Sequence, residues 1–174
     1  ARARTPASSL DVVLMRKDPP FDTEYIYTTY VLERAEQEGC LVVNRPGALR
    51  DINEKAFTAW FPQCCPDTLI TPSMADMRAF LAEHGEIVVK PLHGMGGRSI
   101  FVGRMGDRNE NVTFETLTDY DSRHAMAQRY IPEIRQGDKR ILLVDGEPPT
   151  HVLARVPAED DNRGNLVMGA APEV

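Results

Sequence analysis

The chain contains 174 residues, 42% of them hydrophobic, and carries a formal net charge of −6 at pH 7. It is long enough to bury a core and to form one or two domains. The acidic balance and the lack of a Lys/Arg tract argue against a nucleic-acid partner, and no apolar run reaches the roughly 20 residues that span a membrane. The three cysteines have neither metal-site nor disulfide spacing, which favours a reducing, cytoplasmic location.

The first part of the chain has the pattern of a βαβ unit. The apolar run over residues 10–15 predicts a buried strand, and residues 40–43 predict a second one. Between them lies a predicted helix over about 23–38, with Asp22 or Thr23 as its N-cap. The apolar face of this helix is expected to consist of Tyr27, Tyr30, Val31 and Ala35. Elements of these lengths predict a parallel sheet covered by helices.

The next segment is predicted to be a turn followed by a helix. Residues 44–47 have turn composition, and Asp51 then begins a helix in which Glu54 completes a capping-box-like pattern. The expected apolar face of this helix is Phe57, Trp60 and Phe61. Lys55 lies in the first turn, where anions are favoured, so it either meets an external anionic partner or is simply solvated. Residues 62–66, bounded by prolines, predict a linker between domains.

The second half of the chain alternates short strands with helices. Residues 68–71 predict a strand, and Ser73 caps a helix that ends at Gly85. The inward side chains of this helix are predicted to be Met77, Phe80 and Leu81. Further strands are predicted over 112–115 and 124–132, and a hairpin over 138–144 and 150–155 with its turn at 145–148. No strand is predicted beyond Arg155, so the sheet of this hairpin is expected to lack a closing strand.

A glycine-rich loop over residues 87–102 is the most informative motif of the sequence. An apolar run ends in Lys90, the glycines Gly94, Gly96 and Gly97 follow, and a second apolar run begins. Glycine lets backbone N–H groups approach an anion and lysine adds a full charge, so the loop suits a polyphosphate. It is neither a Walker loop nor a dinucleotide fingerprint, because a strand follows it where those motifs open a helix. A hairpin turn that needs glycine is an equal alternative.

Seven segments of the chain together resemble the bacterial glutathione synthetases, which belong to the ATP-grasp ligases. They are residues 13–25 (VLMRKDPPFDTEY), 49–55 (LRDINEK), 90–97 (KPLHGMGG), 128–132 (QRYIP), 137–140 (GDKR), 153–155 (LAR) and 163–166 (RGNL). The resemblance extends from about residue 10 to residue 169. It implies an α/β and α+β architecture in three parts. These are the end of a parallel N-terminal α/β domain over 1–50, an ATP-grasp lid subdomain over 51–131, and the beginning of a C-terminal ATP-grasp subdomain over 132–174.

The resemblance implies an ATP-dependent carboxylate–amine ligase. Such an enzyme joins γ-glutamylcysteine to glycine through an acyl phosphate while ATP becomes ADP and phosphate. It also implies Mg²⁺, or Mn²⁺ in its place, and a cytoplasmic homotetramer without a nucleic-acid or membrane partner. Two alternatives remain open. One is another ATP-grasp ligase that joins a different carboxylate and amine, and the other is a fragment that binds nucleotide and catalyses nothing.

Residue by residue, the resemblance implies an ATP site and a transfer site. The ATP site consists of Lys55, Lys90, Gly94, Met95, Gly96, Gly97, Ser99, Gln128, Tyr130, Ile131 and Asp138. Within it the two lysines hold the phosphates, the glycine loop closes over them, residues 128–131 form the adenine hinge, and the aspartate accepts from the ribose. The groups that neutralise and orient the transferred phosphoryl group are Arg140, Arg155, Arg163 and Asn165.

Two more residues are candidates for binding substrate, and the arginines of the transfer site have an alternative role. Arg16 and Asp18 follow the carboxyl end of a strand, where α/β sheets bind ligands, and are candidates for substrate contact. A surface salt bridge is the alternative role for each arginine of the transfer site. It fits Arg155 least, because that residue ends an apolar strand.

The chain departs from the family pattern at both ends. It lacks the opening strand–helix units, and it ends before the acidic strand that supplies the metal-binding carboxylates, so no metal ligand is expected in it. Asp160, Asp161 and Asn162 are predicted to be solvated turn residues. The chain is therefore expected to be a central fragment and, taken alone, to be catalytically inactive.

Overall fold

The computed structural model describes residues 4–17, 20–158 and 171–173. The described chain forms two compact units. The first takes in the described residues up to Cys65 together with Pro91–Met95, and the second takes in Pro66–Lys90 together with the described residues from Gly96 onward. The break between Cys65 and Pro66 falls within the segment 62–66. No helix among the described residues is long and apolar enough to cross a membrane.

The predicted βαβ unit is confirmed in the first unit. Its elements are β1 (Val12–Leu14), α1 (Thr23–Gln37) and β2 (Leu41–Val43). The two strands run parallel, with Val13 opposite Val42. The Asp22 carboxylate accepts a hydrogen bond from the Tyr25 N–H at 2.8 Å, which caps the helix, and Gly39 follows it at a φ of +100°.

The buried face of α1 differs from the prediction. Tyr25, Thr29 and Ala35 are buried, whereas the predicted face residues Tyr27, Tyr30 and Val31 are each at least half exposed. Thr29 conceals the true face in the sequence because it is polar. Its hydroxyl donates to the Ile26 carbonyl at 2.6 Å, so it enters the core without an unpaired donor.

The sheet of the first unit is less buried than predicted. Of β1, only Val13 packs against the cluster formed by Ala35, Cys40 and Val42, while Val12 is 49% exposed and Leu14 is 61% exposed. A two-stranded sheet with a helix on one face leaves alternate side chains uncovered. The apolar run therefore identified the strand but overstated its burial.

The predicted turn and helix over residues 44–61 are wrong in position. A short helix α2 (Pro46–Asp51) occupies this segment, with Pro46 at its first turn and Asp51 at its end rather than its beginning. A single 3₁₀ turn (Ala56–Trp60) then follows. In it Phe57 stacks on Trp60, with their ring centroids 5.0 Å apart, and Trp60 remains 68% exposed. The three aromatic residues therefore pack mainly on one another.

The second unit contains a four-stranded sheet covered by two helices. Its elements are β3 (Thr68–Thr71), α3 (Met74–His84), β4 (Glu86–Pro91), β5 (Phe101–Arg104), α4 (Glu110–Thr118) and β6 (Ala125–Arg129). The strand order is β3-β6-β4-β5. As predicted, the Ser73 hydroxyl accepts from the Asp76 N–H at 3.1 Å to cap α3, and Gly85 ends it at a φ of +74°.

The core of the second unit lies between these helices and one face of the sheet. It consists of Met77, Leu81, Ile87, Val89, Phe114, Leu117, Ala125 and Ala127. Each large apolar side chain buried in this way contributes about 1.5–3 kcal/mol relative to an exposed one. Of the predicted inward residues of α3, Met77 and Leu81 are buried and Phe80 packs against the cluster.

The strand predicted over residues 112–115 is wrong, because these residues lie in α4. The β-branched Val112 and Thr113 favour a strand locally. Phe114, Leu117 and Thr118 are nevertheless the buried residues, and only helical spacing brings them to one side. The Thr118 hydroxyl donates to the Phe114 carbonyl at 2.7 Å, which satisfies it within the helix. Tertiary burial therefore outweighs strand propensity here.

A separate three-stranded sheet completes the second unit. Its strands are β7 (Asp138–Arg140), β8 (Leu153–Val156) and β9 (Ala171–Glu173), in the order β7-β8-β9. The predicted hairpin is confirmed, although β7 ends at Arg140 and residues 141–144 lie exposed outside it. The expectation of no closing strand is wrong, because β9 pairs antiparallel with β8, with Pro172 opposite Arg155.

Candidate functional site

The glycine loop connects two antiparallel strands, as the sequence predicts. In β4 and β5 Val89 lies opposite Phe101, and the intervening residues form the loop. Gly96 and Gly97 have φ values of +69° and +76°, and Ser99 has a φ of +55°. A Cβ atom on Gly96 would meet no other atom within 4 Å. The glycines are thus needed for the turn, and space beside the backbone remains open at Gly96.

Lys90 stands on the face of the sheet opposite the helices. Burial alternates along β4, and Ile87 and Val89 belong to the helix-covered core. Lys90 therefore projects from the other face, where its side chain is half-buried. Its ammonium group donates to the Gln128 side-chain oxygen at 2.6 Å, which fixes where the positive charge lies.

Gln128 was expected only in the adenine hinge, but its side chain serves Lys90. Besides accepting from the lysine, its amide nitrogen donates to the Thr68 hydroxyl at 2.9 Å. Thr68 in turn donates to the Pro66 carbonyl at 2.7 Å. The sequence contains no local signal for this arrangement, because it joins residues on three different strands.

The remaining hinge residues lie directly after β6. The Tyr130 N–H donates to the Glu86 carbonyl at 3.1 Å, and Tyr130 is buried. Ile131 has extended backbone and is 43% exposed, and its carbonyl accepts from the Ile134 N–H at 3.2 Å. The segment therefore leaves the sheet with extended backbone at Ile131.

Three predicted residues share one face of the β7–β8 hairpin. Asp138 lies directly opposite Arg155, and Arg140 is two residues along the same strand, so all three project to the same side. The Arg155 guanidinium binds the Asp138 carboxylate through both oxygens, with its Nε donating at 2.7 Å. The salt bridge that fitted Arg155 least from sequence is thus present. Arg140 is exposed.

Lys55 is held within the first unit by the beginning of the glycine loop. Its ammonium donates to the Gly94 carbonyl and lies 3.0 Å from a Glu54 carboxylate oxygen. The lysine side chain is 16% exposed. Lys55 is therefore not simply solvated. One of its N–H groups is used by the Gly94 carbonyl, and a carboxylate lies beside it. Met95, next to this contact, is partly exposed.

Asn53, which sequence analysis did not select, organises this region. Its side-chain oxygen accepts from the N–H groups of Lys55 at 3.0 Å and Ala56 at 2.9 Å, and its amide nitrogen donates to the Leu92 carbonyl at 3.3 Å. Asn53 is thus the true cap where Asp51 was predicted. The capping-box pattern concealed it, because Glu54 follows Asp51 at the matching distance.

Asn53→Ala is expected to destabilise the protein by about 1 kcal/mol, the usual effect of losing a cap. Asn53→Asp keeps the accepting oxygen and loses only the donor to Leu92, so it should retain most of that stability. Urea unfolding followed by far-UV circular dichroism measures both. Equal losses in the two variants would contradict the capping role.

Four candidate residues remain, namely Arg16, Asp18, Arg163 and Asn165. Arg16 is exposed just after β1, and Asn44 and Arg45 follow the parallel strand β2 at the same edge of the sheet. Asp18, Arg163 and Asn165 lie outside the described residues, as do Asp160, Asp161 and Asn162. Their predicted roles stay predictions.

The described residues do not form a metal site. No group of three or more His, Cys, Asp or Glu side chains that could hold a metal ion occurs in the described ranges. Asp138, the carboxylate on the candidate face, is already engaged by Arg155. No described carboxylate is therefore assigned to a metal.

Comparison with known proteins identifies close sequence relatives. The profile of the prokaryotic glutathione synthetase N-terminal domain matches residues 1–50, and that of the prokaryotic glutathione synthetase ATP-grasp domain matches residues 54–174. A glutathione synthetase of Photorhabdus laumondii subsp. laumondii is 58% identical over 165 residues, which cover 95% of this chain and 52% of the relative. The chain spans about half the length of the curated relatives it matches.

Two solved structures have a similar fold. D-cycloserine synthetase DcsG superposes with a TM-score of 0.69 at 18% identity, covering 89% of this chain and 55% of that one. The ATP-grasp ligase PsnB, complexed with a phosphomimetic variant of its minimal precursor, Mg and ADP, gives 0.56 at 24% identity, covering 84% and 43%. At these identities the likeness establishes the fold alone. The predicted α/β and α+β ATP-grasp architecture is confirmed.

Proposed function

Because the chain belongs to the prokaryotic glutathione synthetase family, we propose that the complete protein joins γ-glutamylcysteine to glycine at the expense of ATP. The observation that carries this proposal is the tandem match of both family domains. An ATP-grasp domain alone would be compatible with many carboxylate–amine ligases, whereas the preceding N-terminal domain is that of glutathione synthetases. No observation favours the alternative ligases, because the structural neighbours support only the fold.

The reaction requires activation of a carboxylate, which is a poor electrophile. The cysteinyl carboxylate of γ-glutamylcysteine attacks the γ-phosphorus of ATP, forming an acyl phosphate and releasing ADP. The glycine amine then attacks the acyl carbon and phosphate leaves, which forms the amide bond of glutathione. Both steps depend on positioning and on neutralising phosphate charge.

In this proposal Lys90 supplies a fixed positive charge to the ATP phosphates. The Gln128 amide to which it donates is neutral, so this hydrogen bond adds no opposing charge. The loop residues Gly96, Gly97 and Ser99 present backbone to the phosphates, which the open space beside Gly96 permits. The family resemblance assigns Lys55, Gly94 and Met95 to the phosphates as well, and within the first unit the lysine contacts the Gly94 carbonyl.

The base and the sugar of ATP are assigned to the segments after β6 and in β7. Tyr130 and Ile131 are assigned to the adenine, Ile131 with extended backbone, and Gln128 stands at the start of this hinge. Asp138 accepts from the ribose hydroxyls. Each of its oxygens has a second lone pair beyond the one engaged by Arg155, so both roles are compatible.

The transfer site is assigned to Arg140 and Arg155, together with Arg163 and Asn165 outside the described residues. Arg155 is oriented by Asp138, and Arg140 shares its face of the hairpin. Arg16 and Asp18 are proposed to contact substrate. Mg²⁺, or Mn²⁺ in its place, would neutralise negative charge on the phosphates, and its ligands are proposed to lie outside the described residues.

The domain limits, the location and the assembly are further parts of the proposal. We place the end of the N-terminal domain at residue 50, the lid subdomain over 51–131 and the beginning of the C-terminal subdomain over 132–174. The free thiols of Cys40, Cys64 and Cys65 support a cytoplasmic location. A homotetramer is proposed from the family resemblance alone, and the absence of nucleic-acid or membrane partners from the acidic balance and the lack of a long apolar run.

A coupled assay of the complete protein tests the function. With Mg-ATP, γ-glutamylcysteine and glycine, we expect phosphate release to match glutathione formation, and to fall to background when γ-glutamylcysteine is omitted. Glycine should be preferred over alanine by at least about tenfold, the discrimination that one extra methyl group permits. Turnover with other carboxylates at the same rate would instead indicate another ligase of the superfamily.

The same assay on the 174-residue chain tests its completeness. We expect no ligation by this chain alone, and calorimetry with Mg-ATP reports separately whether it binds nucleotide. Binding without turnover is the result expected for a nucleotide-binding fragment. Ligation at the rate of the complete protein would contradict the expectation that this chain holds no metal ligand.

A further inference from the structure

We propose that Gln128 and Thr68 are positioning residues for Lys90, forming a neutral relay that aims its ammonium group at the ATP phosphates. The relay runs from the lysine through the Gln128 amide and the Thr68 hydroxyl to the Pro66 carbonyl. The inference rests on the proposed function only for the identity of the ligand that Lys90 meets. The relay itself is a set of contacts within the second unit.

The direction of every hydrogen bond in the relay follows from its ends. A lysine ammonium can only donate, so the Gln128 oxygen must face it, at 2.6 Å. The amide nitrogen of Gln128 then faces Thr68 and donates to its hydroxyl oxygen at 2.9 Å. That hydroxyl uses its own hydrogen toward the Pro66 carbonyl at 2.7 Å. If the amide were turned over, its nitrogen would face the lysine ammonium, and both groups can only donate. Only the orientation with the oxygen toward Lys90 is therefore stable.

The three side chains come from neighbouring strands of one sheet. Thr68 of β3 lies directly opposite Gln128 of β6, and β4, which carries Lys90, is the next strand in the order. Directly opposite residues of an antiparallel pair project to the same face. The relay therefore crosses the sheet at right angles to the strands and is held by the backbone ladder.

A lysine needs such support because its side chain is long and flexible. Holding it in one conformation costs rotamer entropy, which ligand binding must otherwise overcome. An acceptor already in place offsets part of this cost before the ligand arrives. This predicts that the loss of Gln128 weakens ATP binding although Gln128 is not itself assigned a phosphate contact.

The choice of an amide rather than a carboxylate is the second part of the inference. A carboxylate in the same place would orient the ammonium equally well but would neutralise it and compete with the phosphate oxygens. The Gln128 amide orients without cancelling the charge. Gln128 itself therefore adds no negative charge that would compete with a phosphate for Lys90.

Gln128→Leu in the complete protein is expected to raise the dissociation constant of ATP about tenfold, the usual value of one hydrogen bond to a charged group. Thr68→Val should raise it by a smaller factor, and Thr68→Ser, which keeps the hydroxyl, should restore it. Gln128→Glu should weaken ATP binding as well, because it adds a compensating charge. Gln136→Leu, an exposed glutamine of the same unit, is the matched control and should leave ATP binding unchanged.

A double-mutant cycle distinguishes positioning from a purely structural role. If Gln128 acts through Lys90, Gln128→Leu should change ATP affinity by less than about twofold in a Lys90→Met background, because neighbouring groups that act as a unit are not additive. A full tenfold loss in that background would overturn the relay. So would a Gln128→Glu variant that binds ATP as tightly as the unmodified protein.

These outcomes are separate from the test of the proposed function. ATP binding is measured by calorimetry without γ-glutamylcysteine or glycine, so the cycle can be completed whether or not glutathione is formed. Failure of the ligation assay with an intact cycle would overturn the proposed reaction and leave the relay in place. If ligation is normal but the effects of the two substitutions on ATP affinity are additive, the relay is overturned and the proposed reaction stands.

Discussion

Lys90→Met is expected to lower ligation by the complete protein by about 100- to 1,000-fold, the range seen when one preorganised charge-stabilising group is removed. Methionine preserves much of the length and the apolar stem of the side chain and removes only the charge. Lys90 lies on the half-buried face of β4, away from the cluster between the sheet and its helices. The fold should therefore persist, and the loss should appear in ATP affinity and in turnover.

Lys139→Met is the matched control for this prediction. Lys139 is an exposed lysine of the same unit, and on β7 it projects to the face opposite Asp138 and Arg155. The Lys139→Met variant should bind ATP and catalyse ligation normally. Calorimetric ATP titration, the coupled assay and a melting curve should be recorded for both variants. Unchanged turnover of Lys90→Met would remove this lysine from the phosphate site.

Gly96→Val is expected to produce the second large loss, in ATP affinity and turnover rather than in folding alone. A valine at a φ of +69° is strained by about 1–2 kcal/mol, so some stability is lost in any case. Its side chain would also enter the open space beside the loop backbone, through which the N–H groups would otherwise approach a phosphate. We expect turnover of the folded protein to fall at least about tenfold, because a small misplacement of the phosphates is enough.

Gly106→Val separates strain from obstruction. Gly106 has a φ of +83°, and a Cβ on it would also meet nothing within 4 Å, so the backbone cost is matched. It follows β5, in a turn for which no ligand is proposed. Both variants should lose similar stability, and only Gly96→Val should lose turnover. Equal turnover of the two variants would reduce the loop to a hairpin turn.

The features that the sequence predicted well are those encoded by neighbouring residues. The caps at Asp22 and Ser73 and the glycine ends of α1 and α3 use side chains within three residues of the backbone groups they satisfy. The strand–loop–strand of the glycine motif is likewise a local pattern. Such features are readable because their interactions are short in sequence.

The features that sequence analysis missed depend on distant residues or on competing local patterns. The strand β9 pairs with β8 across a long connection, and α4 owes its helical form to the burial of Phe114 and Leu117. Asn53 was overlooked because Asp51 and Glu54 formed a plausible capping box. The ion pair between Asp138 and Arg155 forms because these two residues lie opposite each other in the hairpin. The predicted bounds of the two strands did not specify which residues pair.

The candidate site shows the same division. The residue types of the glycine loop and Lys90 are visible in one stretch of sequence. Gln128, which orients this lysine, lies 38 residues after it on another strand. Thr68, which contacts Gln128, is separated from Gln128 by 60 residues. A single sequence can therefore indicate which charge binds phosphate without indicating what holds that charge in place.

The distribution of aromatic and sulfur-containing probes has a practical consequence for spectroscopy. Trp60 is the one tryptophan of the sequence, and the three cysteines are Cys40, Cys64 and Cys65, so all four residues fall in the first unit. Tryptophan emission and thiol labelling therefore report on that unit alone. Cys64 is open to reagents in the native state, whereas modification of the buried Cys40 reports its opening. The second unit, which carries the lysine relay, must be followed with an introduced fluorophore.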